Sequence, residues 1–253
     1  MQAFSVFGSD NRQAYLAVLL QTRGYPVVYT TDEIRFLPTV LLPIPSVLPD
    51  RTVNSTQRTI KQFLESVPPD TTIWGSGLTP YRNDVADRNI SLKNYSDDPA
   101  FAEKNAHLTA EGALEIAMAQ LPKTICGSQF LVIGYGRIGK RLSSLLAALG
   151  GIVTVASRTV PDVSYRVDQT AHYQFPLDEY DAIFNTVPAP VFCAEHCAAT
   201  RTVCLLIDLA SAPGGIAKDG GRTVIHALGL PAKAAPKTAA EIMLSVILSE
   251  TEE

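Results

Sequence analysis

Short apolar runs alternate along this chain with stretches that are apolar at helical spacing. Residues 4–7, 27–30, 39–44, 72–74 and 90–92 are brief runs rich in β-branched and aromatic side chains, the pattern of strands covered on both faces. Between the first two, a helix is expected from Asn11, capped there or at Asp10, through Arg23, with Tyr15, Leu16, Leu19 and Leu20 inward and Gly24 as its stop. A second is expected over about 55–67, with Ile60, Phe63 and Leu64 on one side. Asp97-Asp98-Pro99 carries the signals of a helix start. Thr109-Ala110-Glu111-Gly112 then opens a second, longer helix through Leu121, in which Ile116, Met118 and Leu121 pack and which Pro122 ends.

The alternation resumes after residue 123. An apolar strand, 130–133, runs into Gly134-Tyr135-Gly136-Arg137-Ile138-Gly139. A helix follows with Ile138, Leu142, Leu145, Leu146 and Leu149 on one face, Gly150-Gly151 stops it, and a strand at 152–156 begins. Further strands are expected at 182–184, 203–207 and 224–226, and an amphipathic helix at 238–248. Strands alternating with helices imply parallel sheets with helices on both faces. The expected architecture is α/β and two-lobed. Residues 1–96 form a flavodoxin- or Rossmann-like lobe, 97–122 connecting helices, 123–235 a Rossmann lobe, and 236–253 a helix returning to the first lobe.

Strand, Gly-rich turn, helix and strand is the order that dinucleotide binding requires. Gly134 allows the tight turn, Gly136 lets a pyrophosphate approach bare backbone, and Gly139 lets helix and strand pack closely. Arg137 and Ile138 open the helix whose amino end then faces the phosphates. An NAD site places Asp or Glu about 20 residues beyond the first glycine. Here that place holds Ser157-Arg158-Thr159, a guanidinium between hydroxyls that suits a 2′-phosphate, so NADP is expected over NAD. Three later loops, Asn185-Thr186-Val187-Pro188, Asp208-Leu209-Ala210-Ser211 and Ala227-Leu228-Gly229-Leu230-Pro231, also follow strands. They should join the turn at the sheet's carboxyl edge, with Asn185, Thr186 and Pro188 beside the cofactor and Ser211 beside the substrate.

Composition then narrows the class. An apolar fraction of 46% over 253 residues is enough for two cores, and a net charge of −4 without a Lys/Arg block argues against a nucleic-acid surface. Cys126, Cys193, Cys197 and Cys204 contain no CxxC pair, and Cys193, His196 and Cys197 lack a second ligand cluster. Buried free thiols in a reducing cytosol are expected, and no metal. The amino terminus lacks a basic region before an apolar core, and the apolar stretch 36–48 carries three prolines and is too short to span a bilayer. A cytoplasmic protein without a membrane partner is expected.

Five dispersed segments, GSDNRQ, NAHLTAEGALEIAM, NTVPAPVF, DLASAPGG and GLPAKAAPKTA, together resemble the A subunit of dipicolinate synthase. The resemblance is densest over residues 105–241. It implies an NADP-dependent dehydrogenase that aromatises a dihydrodipicolinate-type ring to pyridine-2,6-dicarboxylate during spore formation. It also implies a partner, the flavoprotein-like B subunit, and an oligomeric assembly. Such a reaction needs a hydride acceptor, a proton acceptor and cations for two carboxylates. Arg12 and Lys233 are candidate carboxylate clamps, with Ser76 and Gly77 lining the first-lobe wall. Asp208 at a strand end, Glu111 at a helix start and His107 compete as general base. Two other readings stand beside this one: a non-catalytic NADP(H)-binding scaffold or sensor, and a D-2-hydroxy-acid-type dehydrogenase. The last needs a His–acid pair and an Arg in the nucleotide lobe, which these residues do not convincingly supply.

Overall fold

In the first half of the chain, segments of three or four residues, too short to fold alone, are paired side by side through main-chain bonds. Strands β1 (Phe4–Phe7), β2 (Val27–Thr30), β3 (Thr39–Leu41), β4 (Thr72–Gly75) and β5 (Ser91–Asn94) form a parallel sheet in the order β2-β1-β3-β4-β5. Helix α1 (Asn11–Thr22) begins where the Asp10 carboxylate accepts from the Gln13 amide, and α2 (Ile60–Ser66) begins in a capping box of Thr59 and Gln62. The computed structural model describes residues 2–158, 166–168, 176–217 and 221–250, the segment 166–168 as backbone.

Helix α2 is shorter than the periodicity implies, because the Ser55–Thr59 stretch is turned back by its own hydroxyls and by positive φ at Ser55. Leu16 and Leu20 are buried on α1 as expected, whereas Tyr15 is 43% exposed and Arg12 and Gln13 are buried instead. One sheet face packs Val40, Ile73 and Leu92 against Ile60, Phe63 and Leu64 of α2. Trp74 stacks on Tyr95 and Tyr95 on Phe101, with ring centroids 5.5 and 5.6 Å apart.

The two helices expected between residues 97 and 121 are one. Helix α3 (Pro99–Gln120) runs unbroken, started by the Asp98 carboxylate on the amides of Ala100 and Phe101. Nothing between Asn105 and Thr109 breaks a helix, so the second start signal lies in its interior. Its alanines 110, 113 and 117 let it lie close on Phe130, Val132, Leu142 and Leu146, while Met118 is 62% exposed.

The second sheet contains β6 (Gln129–Ile133), α4 (Arg137–Ala148) on its face, β7 (Ile152–Ala156), β8 (Arg166–Asp168), β9 (Ala182–Asn185), a short α5 (Ala194–Ala198), β10 (Leu205–Asp208) and β11 (Val224–His226). All its strands are parallel, in the order β11-β10-β9-β6-β7-β8. Numbered within the sheet, that is the doubly wound order 3-2-1-4-5-6 read from β8, with its switch point between β6 and β9. The first sheet has the other common order, 2-1-3-4-5, with its switch point between β1 and β3. Leu149, expected on the packed face of α4, lies past its last turn and is 45% exposed.

After α6 (Leu230–Ala234), helix α7 (Pro236–Ser249) packs on α1. Glu250, just past the end of α7, is paired with Lys93. The chain divides into two units, Met1–Asn105 with Pro231–Glu253, and Ala106–Leu230. Among the described residues, no helix is long and apolar enough to cross a membrane.

Candidate nucleotide site

The carboxyl edge of the second sheet is built around Gly134, the residue after β6. Its φ is +93°, and a Cβ there would lie 2.5 Å from Thr186 Oγ1 and 2.8 Å from Val187 Cγ2. Thr186, following β9, donates its hydroxyl to the Ile133 carbonyl at 2.8 Å and so closes the flank of the turn. Gly139 is buried, and a Cβ on it would come 2.1 Å from the Gly134 carbonyl oxygen. These two glycines allow α4 to start directly against the end of β6.

Gly136 differs from both. It is exposed, its φ is −79°, and a Cβ would meet no atom within 4 Å. It is also the N-cap of α4, and no side chain caps that helix. Among the described residues no side chain therefore covers the first turn of α4, and the positive end of its dipole lies behind bare backbone at Gly136. The exposed Arg137 and Lys140 add positive charge there, Lys140 lying 5.7 Å from the Tyr135 ring centre. A pyrophosphate fits this cradle, because it needs donors, positive potential and an absent Cβ.

At the end of β7, Ser157 is half-buried and Arg158 exposed, and neither is a carboxylate. Thr159, the third residue of this group, lies outside the described residues. Pro188 is exposed on the loop after β9.

Two residues expected to meet ligands have other tasks. Asp208 is 1% exposed; its Oδ1 accepts from Asn185 Nδ2 at 2.8 Å and from the Ala210 amide at 3.1 Å. Its Oδ2 accepts from the amides of Gly215 and Ile216 at 2.8 and 3.2 Å. A carboxylate holding four donors acts here as a clasp for two loops. Asn185 is fully buried and divided among Asp208, the Val187 carbonyl and the Val187 amide, so it shapes the loop without facing a cofactor. Gly215 completes the clasp, since a Cβ there would meet Asn185 Nδ2 at 2.4 Å. The Gly214-Gly215 pair is its only trace in the sequence.

Arg12 is held in a similar way within the first unit. It is 2% exposed, and its Nη2 bonds Asp10 at 3.0 Å and the Ile44 carbonyl at 2.8 Å, bracing two loops after β1 and β3. A guanidinium so placed does not present itself as a carboxylate clamp, although its buried Nε has no partner. Ser76 accepts from the Ser46 amide while its own amide donates to Ser46 Oγ, and Gly77 is exposed with φ +72°. Lys233 is exposed on α6, and Ser211 is exposed after β10. Glu111 is exposed in the interior of α3, not at a helix start, and His107, half-buried one turn earlier, already has an interaction partner. The second unit thus gathers the glycine turn, Ser157, Arg158, Thr186, Pro188 and Ser211 at the carboxyl edge of its sheet. Arg12, Ser76, Gly77 and Lys233 belong to the first.

Of the four thiols, Cys197 and Cys204 are buried as expected, and burial pushes the Cys204 thiol up to about 12. Cys126 and Cys193 are exposed, a departure from the expectation. Cys193 Sγ lies 3.1 Å from His196 Nδ1.

No family model matches the chain. The dipicolinate synthase A subunit of Bacillus subtilis (strain 168) is 29% identical over 235 residues, which cover 85% of this chain and 79% of that protein. The crystal structure of the corresponding A subunit from Bacillus halodurans superposes with a TM-score of 0.79 at 25% identity, covering 100% of this chain and 98% of that one. D-lactate dehydrogenase from Escherichia coli superposes with a TM-score of 0.68 at 11% identity, covering 99% and 97%, a likeness of fold alone. The resemblance carried by the five dispersed segments is borne out: the chain is similar in sequence and in fold to the A subunit of dipicolinate synthase. Its α/β architecture is shared with dehydrogenases.

Proposed function

We propose that this chain is the dehydrogenase component of a dipicolinate synthase. It oxidises a dihydrodipicolinate-type ring to pyridine-2,6-dicarboxylate with NADP, in the cytoplasm of a spore-forming cell, beside a flavoprotein-like B subunit. The observation that carries the reading is the uncapped, side-chain-free amino end of α4 at Gly136, in a chain similar along most of its length to a protein of that name.

The reaction removes a hydride and a proton from adjacent ring positions, and the gain of aromaticity favours it. A bound nicotinamide supplies the hydride acceptor. The chain's own residues bind and orient. The amides at the start of α4, with Arg137, hold the pyrophosphate, and Ser157 and Arg158 hold the 2′-phosphate that separates NADP from NAD. Thr186 and Pro188 border the cofactor on the β9 side. Ser211, exposed after β10, is offered to a substrate carboxylate. His107 and Glu111 are left as proton acceptors, since Asp208 already holds four donors.

The test is to supply the ring substrate with NADP or NAD and follow reduced nicotinamide by absorbance, with and without the B subunit. NADPH should form in step with dipicolinate. Nucleotide that binds but is never reduced under any of these conditions would leave a binding-only role as the better reading.

A further inference from the structure

The exposed Cys193 ends the loop after β9 and begins α5, and it is not an isolated thiol. Its main-chain amide donates to His196 Nδ1 at 3.1 Å. An amide N–H can only donate, so Nδ1 carries a lone pair and the neutral ring holds its proton on Nε2. Cys193 Sγ lies 3.1 Å from the same Nδ1. A sulfur lone pair would be repelled there, so the contact is made by the S–H donating to the ring. The imidazole thus stands where a base must stand to take the thiol proton. The sulfur in turn accepts from the His196 amide, a donor for the negative charge that ionisation leaves behind. The half-buried His196 ring rests against Phe192, with ring centroids 5.2 Å apart. Glu195, exposed in the first turn, is a second acceptor for the thiol proton. The hydrogen bond from Cys193 is the main cause that holds its carboxyl below the usual range. As a negative charge beside the sulfur, Glu195 opposes its ionisation. Cys126 is also exposed, but its sulfur has no hydrogen bond among the described residues.

We infer that Cys193 is a modification site, whose thiol, with His196 as base, exchanges with small-molecule disulfides to form a mixed disulfide. His196 Nδ1 takes the thiol proton, and the thiolate attacks one sulfur of the incoming disulfide. The new bond to Cys193 Sγ forms as the S–S bond of the small molecule breaks. The other half leaves with the electron pair and takes the proton from His196. Cys193 is oxidised and half of the small disulfide is reduced to a thiol, so no further reactant is needed. Excess small thiol drives the same exchange backwards, which makes the adduct reversible. Cys197 and Cys204 are buried and closed to this chemistry in the folded chain.

The probe is dithiodipyridine, a neutral disulfide whose released thiopyridone absorbs, mixed with the full chain near neutral pH. A single thiol should react ahead of the rest, and peptide mass mapping should place it at Cys193. Cys193→Ser, which keeps an N-cap acceptor, should remove that phase, and Cys126→Ser should leave it. His196→Gln removes the base but keeps the cap, since Gln three residues on also accepts from the N-cap amide. Its rate should fall at least about tenfold near neutrality and recover above about pH 9, where a thiol ionises unaided. Glu195→Gln, which removes a negative charge beside the sulfur, should react faster than wild type. Cys126 reacting as fast as Cys193 overturns the inference, and so does a His196→Gln variant with the wild-type rate near neutrality. A shortfall in that variant that persists at high pH also overturns it, because it would report access to the sulfur rather than removal of its proton.

Discussion

Gly136 and Gly139 stand three residues apart and answer different demands. At Gly139 a Cβ would press on the Gly134 carbonyl 2.1 Å away, so the fold itself needs glycine there. At Gly136 the fold needs nothing, because the space is open and φ is ordinary. In the proposed function, this open position at the uncapped end of a helix is where a ligand's phosphates approach. On the same proposal, Arg158 at the end of β7 is the residue that selects NADP over NAD. Removing a charged hydrogen-bond partner costs roughly 1.5–3 kcal/mol. Arg158→Ala should therefore weaken NADPH binding about tenfold or more, with NADH little affected. Isothermal titration of both nucleotides measures this, and an equal loss for both would move Arg158 out of the 2′-phosphate site.

Among the elements, the loops after β9 and β10 owe their shape to one carboxylate. Asp208→Asn puts an amide where four donors converge. Losing charge-assisted bonds in a buried place should lower stability by about 2–3 kcal/mol, read as a shift of the urea midpoint. A variant of undiminished stability but no activity would return Asp208 to the role of base. A strand-end Asp looks the same in sequence in either role; its donors at Gly215 and Ile216 come from a turn whose return path local pattern does not specify. The glycine turn was legible because only glycine satisfies its two crowded positions. Helix α3 shows the opposite case. Thr109 resembles a helix start, yet an unbroken run of helix-tolerant residues before it lets the helix from Pro99 pass straight through. Arg12 was legible as a charge after a strand, but its burial between Asp10 and the Ile44 carbonyl depends on a loop 32 residues away.

At the scale of the whole molecule, two parallel sheets could be expected from the alternation of strands and helices, but their orders could not. Strand order is set by which apolar faces meet across long stretches of chain, and neighbours in sequence such as β8 and β9 are separated in the sheet by β7 and β6. The start of β6 is held by Asp181, which accepts from the Gln129 amide and pairs with Lys123 and Arg201 at 2.7 Å each. Burial pushes this carboxyl up, but the hydrogen bonds from Lys123, Gln129 and Arg201 prevail and hold it below the usual range. A depressed carboxyl stabilises the fold in full above its unfolded pKa, about 4, and loses that stabilisation as pH falls through the lower folded value. The stability gap between wild type and Asp181→Asn should thus be constant near neutrality and close below about pH 4; a gap that persists unchanged in acid would contradict this. The proposed function rests on the open cradle at the start of α4. Calorimetric titration of NADPH into the wild-type protein and into Gly136→Val tests it most directly. Wild type should bind NADPH more tightly than NADH, and the variant, folded and equally stable because its side chain enters empty space, should bind neither. Normal binding by Gly136→Val would contradict the account.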